Sequence, residues 1–229
     1  MNNTAILIPA RYGSTRFPGK PLALLDGVPM IKRVYDACTA SKIPTYVLTD
    51  DMRIFNLFGP DKCWIDQTDY ANGTERCAGA IKNDFFSDYD QFVNVQGDMP
   101  DVTTDIIFAI KDLLDGGADV STVYTDMEEL LRLNLNVVKM IKGTSNAQWF
   151  GRGFAHYGYH HLGVYGYTKQ ALQMYPILKK TQEEEIEQLE QLRWLKNGWQ
   201  ITVSSVQYKG IEINSPEDVE AWHQHKLSQ

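Results

Sequence analysis

A short apolar run, Thr4 to Ile8, is cut off by Pro9 and followed at once by a basic loop, Ala10-Arg11-Tyr12-Gly13-Ser14-Thr15-Arg16-Phe17-Pro18-Gly19-Lys20-Pro21. An apolar run without alternation marks a strand covered on both faces. Met30, Ile31, Val34, Tyr35 and Cys38 then recur at helical spacing, so the chain opens as a strand, a loop and a helix. Open sheets built this way bind ligands at the carboxyl ends of their strands. The loop's backbone N–H groups can cradle phosphate oxygens, while Arg11, Arg16 and Lys20 bring charge. It is not a Walker A loop. Five residues (14 to 18), not four, separate Gly13 from Gly19-Lys20, and Pro21 stands where a Ser or Thr should meet the metal. A solvated surface loop is the plainer reading. Three cations, two glycines and two prolines between Arg11 and Pro21 weigh against it.

The alternation continues. Tyr46 to Leu48, Cys63 to Ile65, Gln91 to Gln96, Val120 to Tyr124 and Ile201 to Val206 read as strands. Asn72 can cap a helix with Thr74, Cys77, Ala78 and Ile81 inside; a second helix after Pro100 turns Ile106, Ile107, Ile110, Leu113 and Leu114 inward and stops at Gly116-Gly117. Glu183 to Lys196 reads as one charged helix, and Ser215 caps a last one with Pro216 at its first position. Residues 136–168 are aromatic, glycine-rich and strand-like, a small β-rich excursion from the main sheet. The pattern predicts an α/β fold: a Rossmann-like, mostly parallel sheet flanked by helices, in one domain over 1–229.

Composition removes several classes of function. A net charge of −7 and a pI near 5.2 exclude a broad nucleic-acid-binding face but leave room for a local basic cluster. The three cysteines, Cys38, Cys63 and Cys77, are odd in number and contain no CxxC, so they read as reduced core thiols of a cytoplasmic protein. No apolar stretch approaches the ~20 residues of a membrane span, and the run before Pro9 is too brief for a signal peptide.

The run IPARYGSTRFPGKPL resembles the N-terminal signature of the 3-deoxy-manno-octulosonate cytidylyltransferases, or CMP-Kdo synthetases. The resemblance continues, in the family's order, through NGTER (72–76), VNVQGD (93–98), HLGVYGY (161–167), LEQLR (189–193) and NSPED (214–218). It implies a nucleotidyltransferase-type fold that joins CTP to the eight-carbon acid Kdo. The products would be CMP-Kdo, a lipopolysaccharide or surface-glycan precursor, and pyrophosphate, with Mg²⁺ as cofactor and a homodimer as the assembly. The reaction is an in-line attack of a sugar hydroxyl on the α-phosphate, a matter of positioning and charge stabilisation.

The resemblance also implies roles. Pro9, Ala10, Arg11, Ser14, Arg16 and Lys20 would hold the triphosphate, with Arg11 and Lys20 stabilising the leaving pyrophosphate. Gly73, Thr74, Arg76 and Gln96 would bind the nucleotide's base side; for Arg76 a helix-surface charge is the competing reading. Arg152, His161, Tyr165, Glu190 and Gln191 would bind the sugar acid. Alternation puts His161 and Tyr165 on one strand face, and it sets His160 opposite, which argues against a His160-His161 metal pair. For Tyr165 the competing reading is packing, and for Glu190 a solvated helix face. Asp98 follows an apolar run; its residues alone allow a metal ligand or a turn residue, and the resemblance favours Mg²⁺.

Two departures stand out. The family places Asp where this chain has Asn214, whose amide oxygen can ligate Mg²⁺ but carries no charge; Glu212 would share its face if the segment is extended. The family's long segment before HLG is reduced to Gly153–His160. A cytidylyltransferase for a related acid, amino-substituted Kdo or sialic-type, and a non-catalytic nucleotide-binding homologue are the alternatives.

Overall fold

The computed structural model describes residues 3–13, 17–154 and 157–227. Strand β1 (Thr4–Ala10) is buried along its whole length, as its unbroken apolar run requires. The loop after it returns through Gly19, whose φ of 73° suits glycine, into a single 3₁₀ turn that presents Lys20. A tight pair, β2 (Leu24–Leu25) and β3 (Val28–Pro29), leads into α1 (Met30–Thr39), which buries the five residues its spacing predicts. There follow β4 (Thr45–Thr49), α2 (Met52–Phe58), β5 (Cys63–Ile65), α3 (Gly73–Ala80), β6 (Gln91–Val95), α4 (Thr104–Asp115) and β7 (Val120–Thr125).

The β-rich stretch contributes β8 (Lys139–Lys142), β9 (Ala147–Gly151) and β10 (Tyr159–Thr168). Helices α5 (Lys169–Met174), α6 (Gln182–Glu187) and α7 (Leu192–Lys196), then β11 (Thr202–Ser205) and α8 (Pro216–Leu227), complete the described chain.

The sheet runs β11-β7-β10-β6-β1-β4-β5. Its pairs β6–β1, β1–β4, β4–β5 and β11–β7 are parallel, and among the described residues β10 runs against both neighbours on that path. The excursion is therefore only partly an excursion: β8 and β9 lie off the path, while β10 returns into the middle of the sheet. Helices cover both faces. One core cluster gathers Leu7, Cys77, Phe92, Tyr167 and Trp194; the other gathers Ile6, Ile31, Val93, Ile106 and Val164. All three cysteines are buried, unbonded thiols.

Two helix starts follow their sequence signals. Asn72 Oδ1 accepts the Glu75 N–H at 2.8 Å, and Glu75 returns a carboxylate oxygen to the Ala71 N–H at 3.0 Å. At α8 Asp218 Oδ2 accepts the Ser215 N–H at 2.8 Å and the Ser215 hydroxyl at 3.2 Å, the carboxylate half of such a box. The continuous helix expected over 183–196 is broken. Gln188 takes a left-handed φ of 55°, which separates α6 from α7 and leaves Ile186 exposed. The chain between the two helices is thereby freed to turn Glu190 and Gln191 toward a cavity.

Candidate active site

The cavity, of about 740 Å³, opens at the carboxyl ends of β1 and β6. Because β10 is reversed, it is the beginning of this strand that arrives there, with Val164 opposite Val95 at the end of β6. The register of β10 on β7 shifts between Leu162 and Tyr165. Two extra residues enter β10 there, so the alternation survives and His161 and Tyr165 keep one face. Their rings lie 5.5 Å apart.

Of the residues singled out in the sequence, Pro9, Ala10, Arg11 and Lys20 line the wall built by the first loop, while Ser14 and Arg16 lie outside the described residues. Lys20 Nζ sits 2.7 Å from Asp98 Oδ2, and Asp98 accordingly faces the cavity just past β6. Gly97 allows this approach: a Cβ there would fall 3.1 Å from the Pro9 carbonyl oxygen. Gly73 is equally constrained, since a Cβ would meet Pro9 Cγ at 3.1 Å and Gln96 Oε1 at 3.2 Å. The Gln96 amide is packed into this corner with its buried Nε2 unpartnered within the protein, a donor placed where a ligand can accept it.

Arg76 is not a surface charge. It is 4% exposed, donates to Asp50 Oδ2 at 3.3 Å and to the Asp66 carbonyl at 3.2 Å, and still reaches the cavity. Thr74 differs from expectation in another way. It is fully buried behind the wall, its hydroxyl meets Tyr167 OH at 3.1 Å, and its N–H donates to Glu190 at 3.1 Å. This first-turn N–H of α3 therefore serves a carboxylate of the protein itself.

Arg152, His161, Tyr165, Glu190 and Gln191 line the same cavity. Arg152 is steadied by the Asn136 carbonyl at 2.6 Å. His161 Nε2 meets Thr122 Oγ1 at 3.0 Å, and burial, with His160 and Arg152 nearby, pushes its pKa down to about 3, so the ring is neutral at pH 7. Gln191 is 3% exposed with Nε2 unpartnered within the protein. Glu190 is not on a solvated helix face; burial pushes its carboxyl up to about 7 against the Thr74 N–H that favours the charged form. Asn214 joins from the C-terminal side, beside Glu212, whose carboxyl burial and the Asp98 charge also push up to about 7.

Two features escaped the sequence reading. Asp50, at the exit of β4, binds both the Tyr12 N–H (3.0 Å) and Arg76, so it couples the first loop to α3. Arg193 is buried and bridges Glu184 (2.6 Å) to Glu75 (3.0 Å). A strand-end Asp and the Arg of LEQLR were the available signals.

The raised Glu190 carboxyl has a consequence for stability. The folded state binds a proton more tightly than the unfolded chain, whose reference value is 4.5, so the carboxyl's contribution is full below about 4.5 and is lost as pH rises through about 7. Subtracting the urea unfolding free energy of Glu190→Gln from that of the parent should give a difference that declines from pH 5 to pH 8. The subtraction cancels Glu212, which titrates in the same window. A flat difference would show that Glu190 is ionised throughout.

The cytidylyltransferase family model matches residues 5–205. The 8-amino-3,8-dideoxy-manno-octulosonate cytidylyltransferase of Shewanella halifaxensis is 37% identical, with 95% of this chain and 96% of that protein aligned. The protein of the same name from Shewanella oneidensis is 36% identical over the same shares. Among solved structures, CMP:2-keto-3-deoxy-manno-octonic acid synthetase complexed with CTP superposes with a TM-score of 0.85 at 30% identity, covering 98% of each chain. A putative glucose-1-phosphate thymidylyltransferase from Bacillus anthracis, at 14% identity and a TM-score of 0.71, shares the fold.

Proposed function

The chain belongs to the cytidylyltransferase family and is a nucleotidyltransferase, and from that premise we propose that it transfers CMP from CTP to an eight-carbon 3-deoxy sugar acid with release of pyrophosphate. The activated sugar would serve surface-glycan assembly. The observation that carries this reading is convergence: the loop after β1, the exit of β6, the start of β10 and the α6–α7 segment line one cavity.

Arg11 and Lys20 bind the triphosphate and take up charge on the leaving pyrophosphate. Gly73, Arg76 and Gln96 bound the nucleotide side, with Thr74 acting behind them through Glu190. Arg152, His161, Tyr165 and Gln191 orient the sugar acid, the guanidinium answering its carboxylate. A neutral His161 is suited to hydrogen bonding with hydroxyls.

The donor set fits Mg²⁺. Asp98 and Asn214 offer hard oxygens on one wall, and the Lys20 ammonium already holds Asp98 where a cation is welcome. Among the described residues no group of three or more His, Cys, Asp or Glu forms a metal cage, and Mg²⁺ shared with phosphates and water does not require one. When bound, Mg²⁺ would neutralise triphosphate charge and orient the α-phosphate.

The 8-amino acid is our preferred acceptor over Kdo. The Shewanella relatives carry that name, and Glu185 and Glu190 line the cavity, where an ammonium finds a counter-charge. Assembly as a homodimer belongs to the same proposal, supported by the exposed Leu130, Leu133 and Leu135. Among the described residues no helix is long and apolar enough to cross a membrane.

The test is pyrophosphate release from CTP and Mg²⁺ with Kdo, 8-amino-Kdo and a sialic acid, with products identified by mass spectrometry. Both octulosonates should turn over, the 8-amino form with the higher kcat/KM, and the sialic acid should not. Faster turnover of Kdo would reverse the preference; no release with any of the three would overturn the reading.

A further inference from the structure

We infer that Glu212 supplies the second carboxylate at the metal position of this site, doing from two residues upstream what Asn214 cannot do for lack of charge. The inference rests on the Mg²⁺-assisted cytidylyl transfer proposed above.

The segment that carries Glu212 is pinned against the exit of β6 at alternate residues. Ile211 N–H donates to Asp101 Oδ2 at 3.2 Å, and Ile213 N–H donates to the Asp98 carbonyl at 3.0 Å. Alternate N–H groups turned toward one neighbour are the signature of extended backbone, in which side chains 212 and 214 share a face and 213 takes the other. The packing agrees. Ile213 is buried in a small core with Leu25, Met30 and Trp222, whereas Glu212 and Asn214 line the cavity together with Asp98. The segment is fixed beyond both anchors. Asp101 also accepts the Trp222 indole N–H at 2.9 Å, and the Ser215–Asp218 box starts α8 immediately after Asn214. Glu212 therefore sits between two anchored residues that leave its side chain directed at the cavity.

Charge completes the argument. Mg²⁺ shared with a nucleotide is typically held by one or two carboxylates plus phosphates and water. With Asn214 as the partner of Asp98 that wall would carry a single negative charge, and Lys20 already pairs with it at 2.7 Å. Glu212 beside Asp98 restores the two-carboxylate wall, with its longer side chain extending from the same backbone face.

The experiment is Mn²⁺ binding to the whole protein in the presence of CTP and the absence of sugar acid, with free Mn²⁺ followed by electron paramagnetic resonance. Glu212→Gln should weaken Mn²⁺ binding roughly tenfold or more, while CTP binding in EDTA, measured by calorimetry, changes little. Asn214→Asp introduced into Glu212→Gln should restore the affinity. Mn²⁺ affinity in Glu212→Gln within about twofold of the parent overturns the assignment. Should Glu212→Gln fail to fold, Glu212→Cys decides. A thiolate ligand raises the preference for Cd²⁺ over Mn²⁺, and an unchanged preference overturns the assignment equally. A parent enzyme that transfers cytidylyl groups while Glu212→Gln binds Mn²⁺ normally refutes the role of Glu212 alone. A parent without turnover refutes the reading beneath it.

Discussion

Lys20→Ala is expected to lower kcat by about 10²–10³-fold while leaving the melting temperature near that of the parent, because the reaction depends on cations aimed at developing phosphate charge. The structure separates this effect from a folding defect. Lys20 sits in a one-turn 3₁₀ segment at the cavity edge, with its side chain 18% exposed, and its ion-pair partner is Asp98, itself 24% exposed. Removing an ion pair so open to water costs little stability. Removing a cation from the proposed triphosphate grip would cost transition-state stabilisation that water replaces poorly in a recessed site. Lys20→Arg separates charge from position: if charge dominates, it should recover part of the loss, although the forked guanidinium is not an equivalent of the compact ammonium. The measurement is steady-state pyrophosphate release paired with a thermal melt. A fall of less than about tenfold in a protein of parental melting temperature would remove Lys20 from the chemistry.

The features of this fold that were legible from sequence are those governed by neighbours in the chain. The unbroken apolar run of β1 announced a strand covered on both faces, the spacing of Met30, Ile31, Val34, Tyr35 and Cys38 announced α1, and the Asn72 and Ser215 boxes marked two helix starts. What stayed hidden depends on partners distant in sequence. The reversal of β10 is a property of sheet order, and without it His161 and Tyr165 would not arrive beside the exit of β6. The break at Gln188 goes against the apolar spacing of Ile186, Leu189, Leu192 and Leu195, since Ile186 stays in water while the chain turns to bring Glu190 and Gln191 inward. For Arg76 the competing reading as a surface charge stays open until Asp50, 26 residues away, is seen to receive it. The likeness of short motifs to a known family pointed to residues that line one cavity without disclosing these supports, because motif positions carry no record of what lies behind them.

The largest of those hidden supports is Arg193, and its loss should be the most damaging to stability. Arg193→Ala is expected to destabilise the protein by about 3–5 kcal/mol, the range for removing one partner of a buried ion pair. The Arg193 side chain is 4% exposed and that of Glu184 is 5% exposed; the two share hydrogen bonds of 2.8 and 2.6 Å, a paired geometry that fixes α7 against α6. A third contact reaches Glu75 at 3.0 Å, whose other oxygen holds the Ala71 N–H at the start of α3. The guanidinium also lies over the Tyr175 ring, 4.3 Å from its centroid. Deleting it leaves Glu184 buried without its cation and loosens the two elements that together position Glu190 and the Thr74 N–H. Most of the penalty is the stranded carboxylate, so the double variant Glu184→Gln, Arg193→Met should recover a large part of the stability lost by Arg193→Ala. Activity should recover less, because Glu75 and α3 remain untethered from α7. Urea unfolding of the three proteins, read with kcat/KM for the sugar acid, distinguishes the two effects. A loss below about 1 kcal/mol in Arg193→Ala would mean that water reaches Glu184 and the bridge is not a buried one.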